Sequence, residues 1–126
     1  MHRAIICVDD EKIILDSLLA QLSRNFGDDF DYEVAESASE ALEVIEELTE
    51  EGVEIMAIVS DWLMPGMKGD ELLIHVHSLY PKIRKILLTG QADENAVNHA
   101  REQAKLSAVL AKPWEEKELM NLLVAC

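Results

Sequence analysis

The chain has 126 residues, which fits one domain with a single closed core. Its 25 acidic residues outnumber its 11 basic residues, and the formal net charge is −14. So acidic a surface argues against nucleic-acid binding, because few cations are present to displace phosphate counterions. No apolar stretch approaches the roughly 20 residues that span a bilayer. Two cysteines, Cys7 and Cys126, form no disulfide framework, so we expect a reducing, cytoplasmic location.

Five short apolar segments alternate with five helical segments along the chain. The first helical segment, about residues 12–25, places Ile14, Leu18 and Leu22 at four-residue spacing, which predicts one buried face. A capping-box pattern, Ser37 followed by Glu40, predicts the start of the second helix, and Gly52 its end. The remaining predicted helices begin near residues 70, 94 and 115.

The apolar segments have the length and β-branched content of buried strands. They cover residues 3–8, 31–35, 54–61, 84–89 and 108–111. Connections this short between strands and helices require parallel strands with right-handed crossovers and helices on both faces. The sequence therefore predicts one α/β domain over residues 1–126, with no internal repeat or linker.

Polar side chains follow four of the five predicted strands at the point where each strand ends. Asp9 and Asp10 follow the first strand, Asp61 ends the third, Thr89 ends the fourth and Lys112 follows the fifth. Parallel strands bring these ends to one edge of the sheet, where open α/β sheets bind ligands. We therefore expect three carboxylates, a hydroxyl and an ammonium group to share one shallow site.

Three close carboxylates repel one another by about 4 kcal/mol per pair at an effective dielectric near 20. One lysine does not neutralise them, so the site is expected to attract a hard divalent cation such as Mg²⁺. A cation beside a lysine and a hydroxyl can hold a phosphoryl group. Asp61 is single and central, which makes it the candidate for the attacking oxygen of an acyl phosphate.

These motifs resemble the receiver domain of two-component response regulators. The matching residues are Val8 to Glu11, Asp61 to Pro65 with Gly69 eight residues after Asp61, Thr89-Gly90 and Lys112-Pro113. The resemblance covers essentially the whole chain. It implies a flavodoxin-like five-stranded parallel sheet in the order 2-1-3-4-5.

The resemblance implies that Asp61 accepts phosphate from a phosphohistidine on a sensor histidine kinase. It further implies that Asp10, Asp61 and the backbone carbonyl of Leu63 hold Mg²⁺, with Asp9 acting mostly through water. Such a domain would perform chemistry on itself only and would not be an enzyme toward other substrates.

Five further positions have roles implied by the same resemblance. Lys112 would contact the phosphoryl group, and its bond to Pro113 would be cis. The hydroxyl of Thr89 would turn inward on phosphorylation. Backbone amides of Trp62 and Gly90 would complete the phosphoryl cradle.

One position departs from the family pattern, which usually has Tyr or Phe three residues before the lysine. Val109 stands there, so the usual aromatic relay toward the fourth helix, last strand and last helix is in doubt. Two positions that tune loss of phosphate in the family are Leu63 and Gln91. Leu63 cannot orient an attacking water through its side chain, which predicts slow self-dephosphorylation.

Two other functions share part of this residue pattern. A magnesium-dependent phosphatase of the haloacid dehalogenase type would need a second aspartate at position 63, where this chain has leucine. A degenerate receiver that binds partners without phosphate is disfavoured because the acidic, hydroxyl and lysine positions are all filled. The cognate kinase, the output domain or downstream protein, and a homodimer remain open, as does whether the domain is stand-alone or cut from a longer protein.

Overall fold

The computed structural model describes residues 3–90 and 94–124. Five parallel strands form one sheet in the order β2-β1-β3-β4-β5. The strands are β1 (Arg3–Val8), β2 (Asp31–Ala35), β3 (Glu54–Asp61), β4 (Arg84–Thr89) and β5 (Ala108–Ala111). The helices are α1 (Lys12–Phe26), α2 (Ala38–Glu50), α3 (Gly69–Leu79), α4 (Glu94–Ala104) and α5 (Glu116–Val124). This is the flavodoxin-like order that the sequence motifs implied, and that prediction is confirmed.

The sheet is buried on both faces because successive side chains of each strand point to opposite sides. In β1, Ala4, Ile6 and Val8 join the core beneath α2 and α3. Ile5 and Cys7 of the same strand join a second core with residues of α1 and α5. Burial raises the pKa of the Cys7 thiol to about 12, so this cysteine acts as a core side chain, as the sequence indicated.

The helix boundaries follow from local sequence signals. The Ser37 hydroxyl accepts a hydrogen bond from the Glu40 amide at 3.1 Å, which caps α2 as predicted. A short 3-10 turn, Gly27–Asp29, ends α1. One detail differs slightly from expectation, since α3 begins at Gly69 rather than at residue 70. Ile13 on α1 lies outside the predicted buried face and is 73% exposed. None of the described helices combines the length and apolar character needed to cross a membrane.

Candidate functional site

The carboxyl edge of the sheet brings together the polar strand ends. Asp9 follows β1 and is fully buried, while Asp61 ends β3 with 6% of its surface exposed. Lys112 follows β5, and its backbone amide donates to the carbonyl of Thr89 at the end of β4, at 2.9 Å. Residues more than a hundred positions apart in sequence therefore meet because the strands are parallel.

The ammonium group of Lys112 bridges two carboxylates. Its Nζ lies 3.0 Å from Oδ2 of Asp9 and 3.0 Å from Oδ1 of Asp61. Burial lowers the pKa of Lys112, but hydrogen bonds to Asp61 and Asp9 outweigh that effect and raise it above the usual lysine value. Lys112 is therefore held as a fixed cation at the point where the two strands end.

The acidic side chains form a tight cluster. Carboxylate oxygens of Asp9, Asp10 and Asp61 lie within 4.8 Å of one another. Burial raises the pKa of Asp61; Lys112 lowers it, and the negative charges of Asp9 and Asp10 raise it further, for a net increase. Ionisation of Asp61 in the folded protein is therefore less favourable than in water, and a second positive charge nearby would offset this difference in free energy.

The donor set fits Mg²⁺. Among the described residues, three carboxylates meet and Lys112 is the one cation that contacts them, and oxygen donors are the ligands that magnesium prefers. Asp9 already accepts from the Glu11 amide through Oδ1 and from Lys112 through Oδ2. Asp10 is exposed, and Asp61 has a second carboxylate oxygen besides Oδ1, the atom that Lys112 contacts. Asp10 and Asp61 are therefore the side chains best placed for direct ligation, and Asp9 is better placed to act through water.

The backbone after Asp61 differs from the predicted phosphoryl cradle in one respect. The Trp62 amide donates to the carbonyl of Leu88 at 2.9 Å, because pairing between β3 and β4 continues one residue past Asp61. An N–H group that is already paired is not available to a ligand, so the structure contradicts this part of the prediction. The Leu63 amide, next along the loop, donates to none of the described residues.

The start of α3 lies against the phosphoacceptor backbone. A Cβ placed on Gly69 would lie 1.9 Å from the carbonyl oxygen of Asp61 and 2.8 Å from its carbonyl carbon. The Gly69 amide also donates to the carbonyl of Trp62 at 2.8 Å. Only glycine allows this approach, which gives a steric reason for the glycine eight residues after Asp61.

Two residues that the sequence did not single out, Asp70 and Lys68, lie beside the Trp62 side chain. The indole Nε1–H donates to Oδ1 of Asp70 at 3.0 Å, and Asp70 is buried. The ammonium group of Lys68 lies 5.3 Å from the centre of the indole ring. The Asp70 contact spans eight residues across a loop, and no local periodicity predicts a contact of that kind.

The site opens into a cavity of about 490 Å³ lined by Glu11, Asp61, Trp62, Leu63, Gly90 and Lys112. Leu63 is 60% exposed at its rim. Apart from its chain neighbours, no atom of the described residues lies within 4 Å of a Cβ placed on Gly90, so the space above this residue is open. Gln91, the second position predicted to tune phosphate loss, lies outside the described residues.

The loop after β5 contains the other predicted features. The Lys112–Pro113 peptide bond is cis, the isomer that the family resemblance implied. The Trp114 indole N–H donates to Oε1 of Gln21 on α1 at 2.8 Å, so Trp114 packs against α1 just before the last helix begins. Val109 is half-buried against the core beneath α2 and α3. Its effect on switching is not tested by this geometry and stays a prediction.

Comparison with known proteins gives a consistent result. The family model described as "Response regulator receiver domain" matches residues 5–124. The sensor kinase CckA of Brucella abortus is 35% identical over 118 residues, which cover 91% of this chain and 11% of the kinase. The response regulator protein FleR of Pseudomonas aeruginosa is 29% identical over 98% of this chain and 24% of its own length. The chain thus spans a quarter or less of these two relatives.

Solved structures agree in fold. The signal receiver domain of an HD domain-containing protein from Pseudomonas fluorescens Pf-5 superposes with a TM-score of 0.85 at 29% identity, covering 98% of this chain and 92% of that one. A CheY-like response regulator receiver domain protein from Methanospirillum hungatei JF-1 gives a TM-score of 0.81 at 30% identity, covering 96% of this chain and 90% of that one.

Proposed function

Because this chain belongs to the response regulator receiver family, we propose that it is a phosphoacceptor domain that takes a phosphoryl group onto Asp61. The observation that supports this most strongly is the position of Lys112, 3.0 Å from Asp61 and 3.0 Å from Asp9, beside three clustered carboxylates. A buried aspartate at a strand end, paired with a fixed cation, can act as a nucleophile toward phosphorus.

The proposed transfer starts from a phosphohistidine of a sensor histidine kinase. The free oxygen of the Asp61 carboxylate attacks phosphorus, forming an O–P bond as the P–N bond breaks. The bonding electron pair stays on the imidazole nitrogen, which then takes up a proton from solvent. A bound Mg²⁺ supplies charge neutralisation for the phosphoryl oxygens.

The residues of this chain position and stabilise the group in transfer. Lys112 provides a cation next to the phosphoryl oxygens. The carbonyl of Leu63 is proposed as a further metal ligand. The amides of Leu63 and Gly90, together with the hydroxyl of Thr89, are proposed to donate to the phosphoryl group.

The rim of the site fits a protein donor. Leu63 is 60% exposed and lines the cavity, and Ile13, on the helix that follows Asp9 and Asp10, is 73% exposed. Exposed apolar side chains beside an acidic pocket favour docking of a partner surface. We propose a sensor histidine kinase as that partner, and an output domain or downstream protein as the receiver of the signal.

Phosphorylation is proposed to change the surface formed by α4, β5 and α5. Thr89 ends β4 and pairs with Ala111 of β5, which is one element of that surface. Val109 lacks the aromatic ring that usually moves with the threonine, so the change is expected to depend on backbone shifts after β4. Leu63 offers no polar group to orient water, and slow loss of phosphate remains the expectation; a lifetime of only seconds would refute it.

The test uses a small phosphodonor. The protein is incubated with acetyl phosphate and Mg²⁺, and the mass of one added phosphoryl group is measured on the intact chain. We expect one group on the wild type, none without Mg²⁺, and none on Asp61→Asn, which keeps the shape of the side chain. Labelling of Asp61→Asn to the wild-type level would overturn the proposal.

The phosphatase alternative is not favoured. A haloacid dehalogenase-type enzyme needs a general acid two residues after the nucleophile, and Leu63 is an exposed apolar side chain. We propose instead that the domain acts only on itself, in the cytoplasm, without binding nucleic acid. Steady turnover of p-nitrophenyl phosphate would contradict this.

A further inference from the structure

The loop between β3 and α3, residues 62–68, is fixed at three points. Its first residue, Trp62, is tied to β4 through the amide bond to Leu88. Gly69, just after the loop, contacts the carbonyl of Asp61 and donates to that of Trp62. The third point is the side-chain bond from Trp62 to Asp70.

The third point differs in kind from the others. Backbone pairing and the glycine contact involve main-chain atoms, whereas the indole–carboxylate bond depends on two particular side chains. Asp70 is 8% exposed, so its carboxylate has few water molecules to replace the indole N–H. Lys68 lies over the same ring and confines the indole between the two ends of the turn.

We propose that Asp70 is a positioning residue of the metal site: by holding the Trp62 indole, it fixes the loop whose next residue, Leu63, presents its carbonyl to the cation. The inference rests on the proposed function, since it assumes that the carboxyl edge binds Mg²⁺. Groups that orient metal ligands commonly affect metal affinity although they do not touch the ion. Asp70 does not contact a metal ligand itself but acts through Trp62, the neighbour of Leu63. Its effect on Mg²⁺ affinity is therefore expected to be smaller than that of a residue bonded directly to a metal ligand.

The first test measures the dissociation constant of Mg²⁺ by calorimetry. Asp70→Ala removes the acceptor and Trp62→Phe removes the donor while keeping a ring. Each is expected to weaken Mg²⁺ binding roughly 3- to 10-fold. The double variant is expected to bind Mg²⁺ at least as tightly as the single variant with the lower affinity, because both changes remove the same hydrogen bond.

A matched control separates this role from the general effect of charge at a helix start. Glu71 is the neighbouring carboxylate in the first turn of α3 and is exposed. Glu71→Gln is expected to leave Mg²⁺ affinity within about twofold of the wild type. Asp70→Asn keeps an oxygen acceptor for the indole and is expected to restore most of the affinity lost in Asp70→Ala.

The second test follows the indole directly in the metal-free protein. Hydrogen exchange of the two indole N–H groups is measured by NMR and assigned with Trp62→Phe and Trp114→Phe. Asp70→Ala should speed exchange at Trp62 and leave Trp114, which is bonded to Gln21, unchanged. If Asp70→Ala does not fold, Trp62→Phe decides the metal measurement.

The outcomes are distinct. Wild-type binding of Mg²⁺ with unchanged affinity in Asp70→Ala and Trp62→Phe would overturn this inference and leave the proposed function intact. A wild type that binds no Mg²⁺ would overturn both. Equal loss of affinity in Glu71→Gln and Asp70→Ala would also overturn it, because the effect would then come from charge alone.

Discussion

Two lysines are held at opposite edges of the same sheet, and their surroundings differ. Lys112 follows β5 at the carboxyl edge and contacts two carboxylates. Lys85 lies near the start of β4 at the amino edge, is 2% exposed, and donates to the backbone carbonyls of Ile83 at 2.5 Å and Pro81 at 3.4 Å. Lys112 has a raised pKa, and burial lowers that of Lys85.

The difference shows that a buried charge alone does not identify a site. Lys85 satisfies the loop carbonyls after α3, which is a structural task. Lys112 compensates carboxylates that remain in excess at an open cavity, which is an arrangement that can act on a phosphoryl group. A second cavity, about 530 Å³, opens at the amino edge between Tyr80, Ile83 and Val53, but its lining is mostly apolar.

The largest expected difference between the two lysines is in phosphoryl transfer. Lys112→Met should lower the rate of labelling by acetyl phosphate by about 100-fold or more, because the fixed cation near the phosphoryl oxygens is lost. Lys85→Met should leave that rate within about twofold. Intact-mass time courses at one Mg²⁺ concentration measure both. A comparable loss in Lys85→Met would show that the comparison between the edges is wrong.

The next largest effect tests how closely the backbone approaches Asp61. Gly69→Ala should destabilise the fold by about 2–3 kcal/mol, because the added methyl group meets the Asp61 carbonyl at 1.9 Å. Gly90→Ala is the matched control at the same edge. It should change stability by no more than about 0.5 kcal/mol, since the space there is open. Urea denaturation of the two variants measures the difference, and equal stabilities would contradict the close approach.

A smaller effect is expected from the charge on Asp61 in the metal-free protein. Because the folded state raises the pKa of this acid, the folded chain binds the proton more tightly than the unfolded chain, and stability falls as pH rises through that window. Asp61→Asn should therefore melt above the wild type at pH 7, by on the order of a few °C. This difference in melting temperature between the variant and the wild type should shrink toward pH 4 and on addition of Mg²⁺. A constant advantage at both pH values would show that ionisation of Asp61 is not its cause.

The smallest effect is expected at Lys85. Its lowered pKa means that the unfolded chain binds the proton more tightly, so stability rises with pH between the lowered value and 10.5. Relative to Lys85→Met, the wild type should gain on the order of 1–2 °C in melting temperature between pH 7 and pH 10. Lys112, with a raised pKa, should show no such gain over that range in a parallel comparison with Lys112→Met.

Much of the fold was predictable because strands and helices impose local periods on the sequence. The alternation of short apolar runs with helical segments predicted the number of strands and their parallel direction, and the resemblance to receiver domains implied their order in the sheet. The strand ends then predicted which residues of distant segments would meet, since all parallel strands end at one edge. Asp9, Asp61 and Lys112 were predicted together on that basis, and their side chains do meet.

Other features depend on contacts that have no local period. The pairing of the Trp62 amide with Leu88 follows from how far β4 extends beside β3, and the resemblance alone predicted a different partner. The burial of Lys85 and the bond between Trp62 and Asp70 depend on how the loops fold back at each end. Ile13 is an apolar residue of α1 but is exposed, because it lies off the buried stripe that Leu15, Leu18 and Leu22 form.

The sequence by itself determined the doubly wound sheet and the residue types at its carboxyl edge, because backbone geometry converts spacing along the chain into a face or an edge. Only the tertiary structure decided how Lys112 is shared between two carboxylates, which amide near Asp61 is free, and which side chains hold the loop after it. These are matters of distances of a few ångströms between segments, and they are fixed when the helices pack on the sheet.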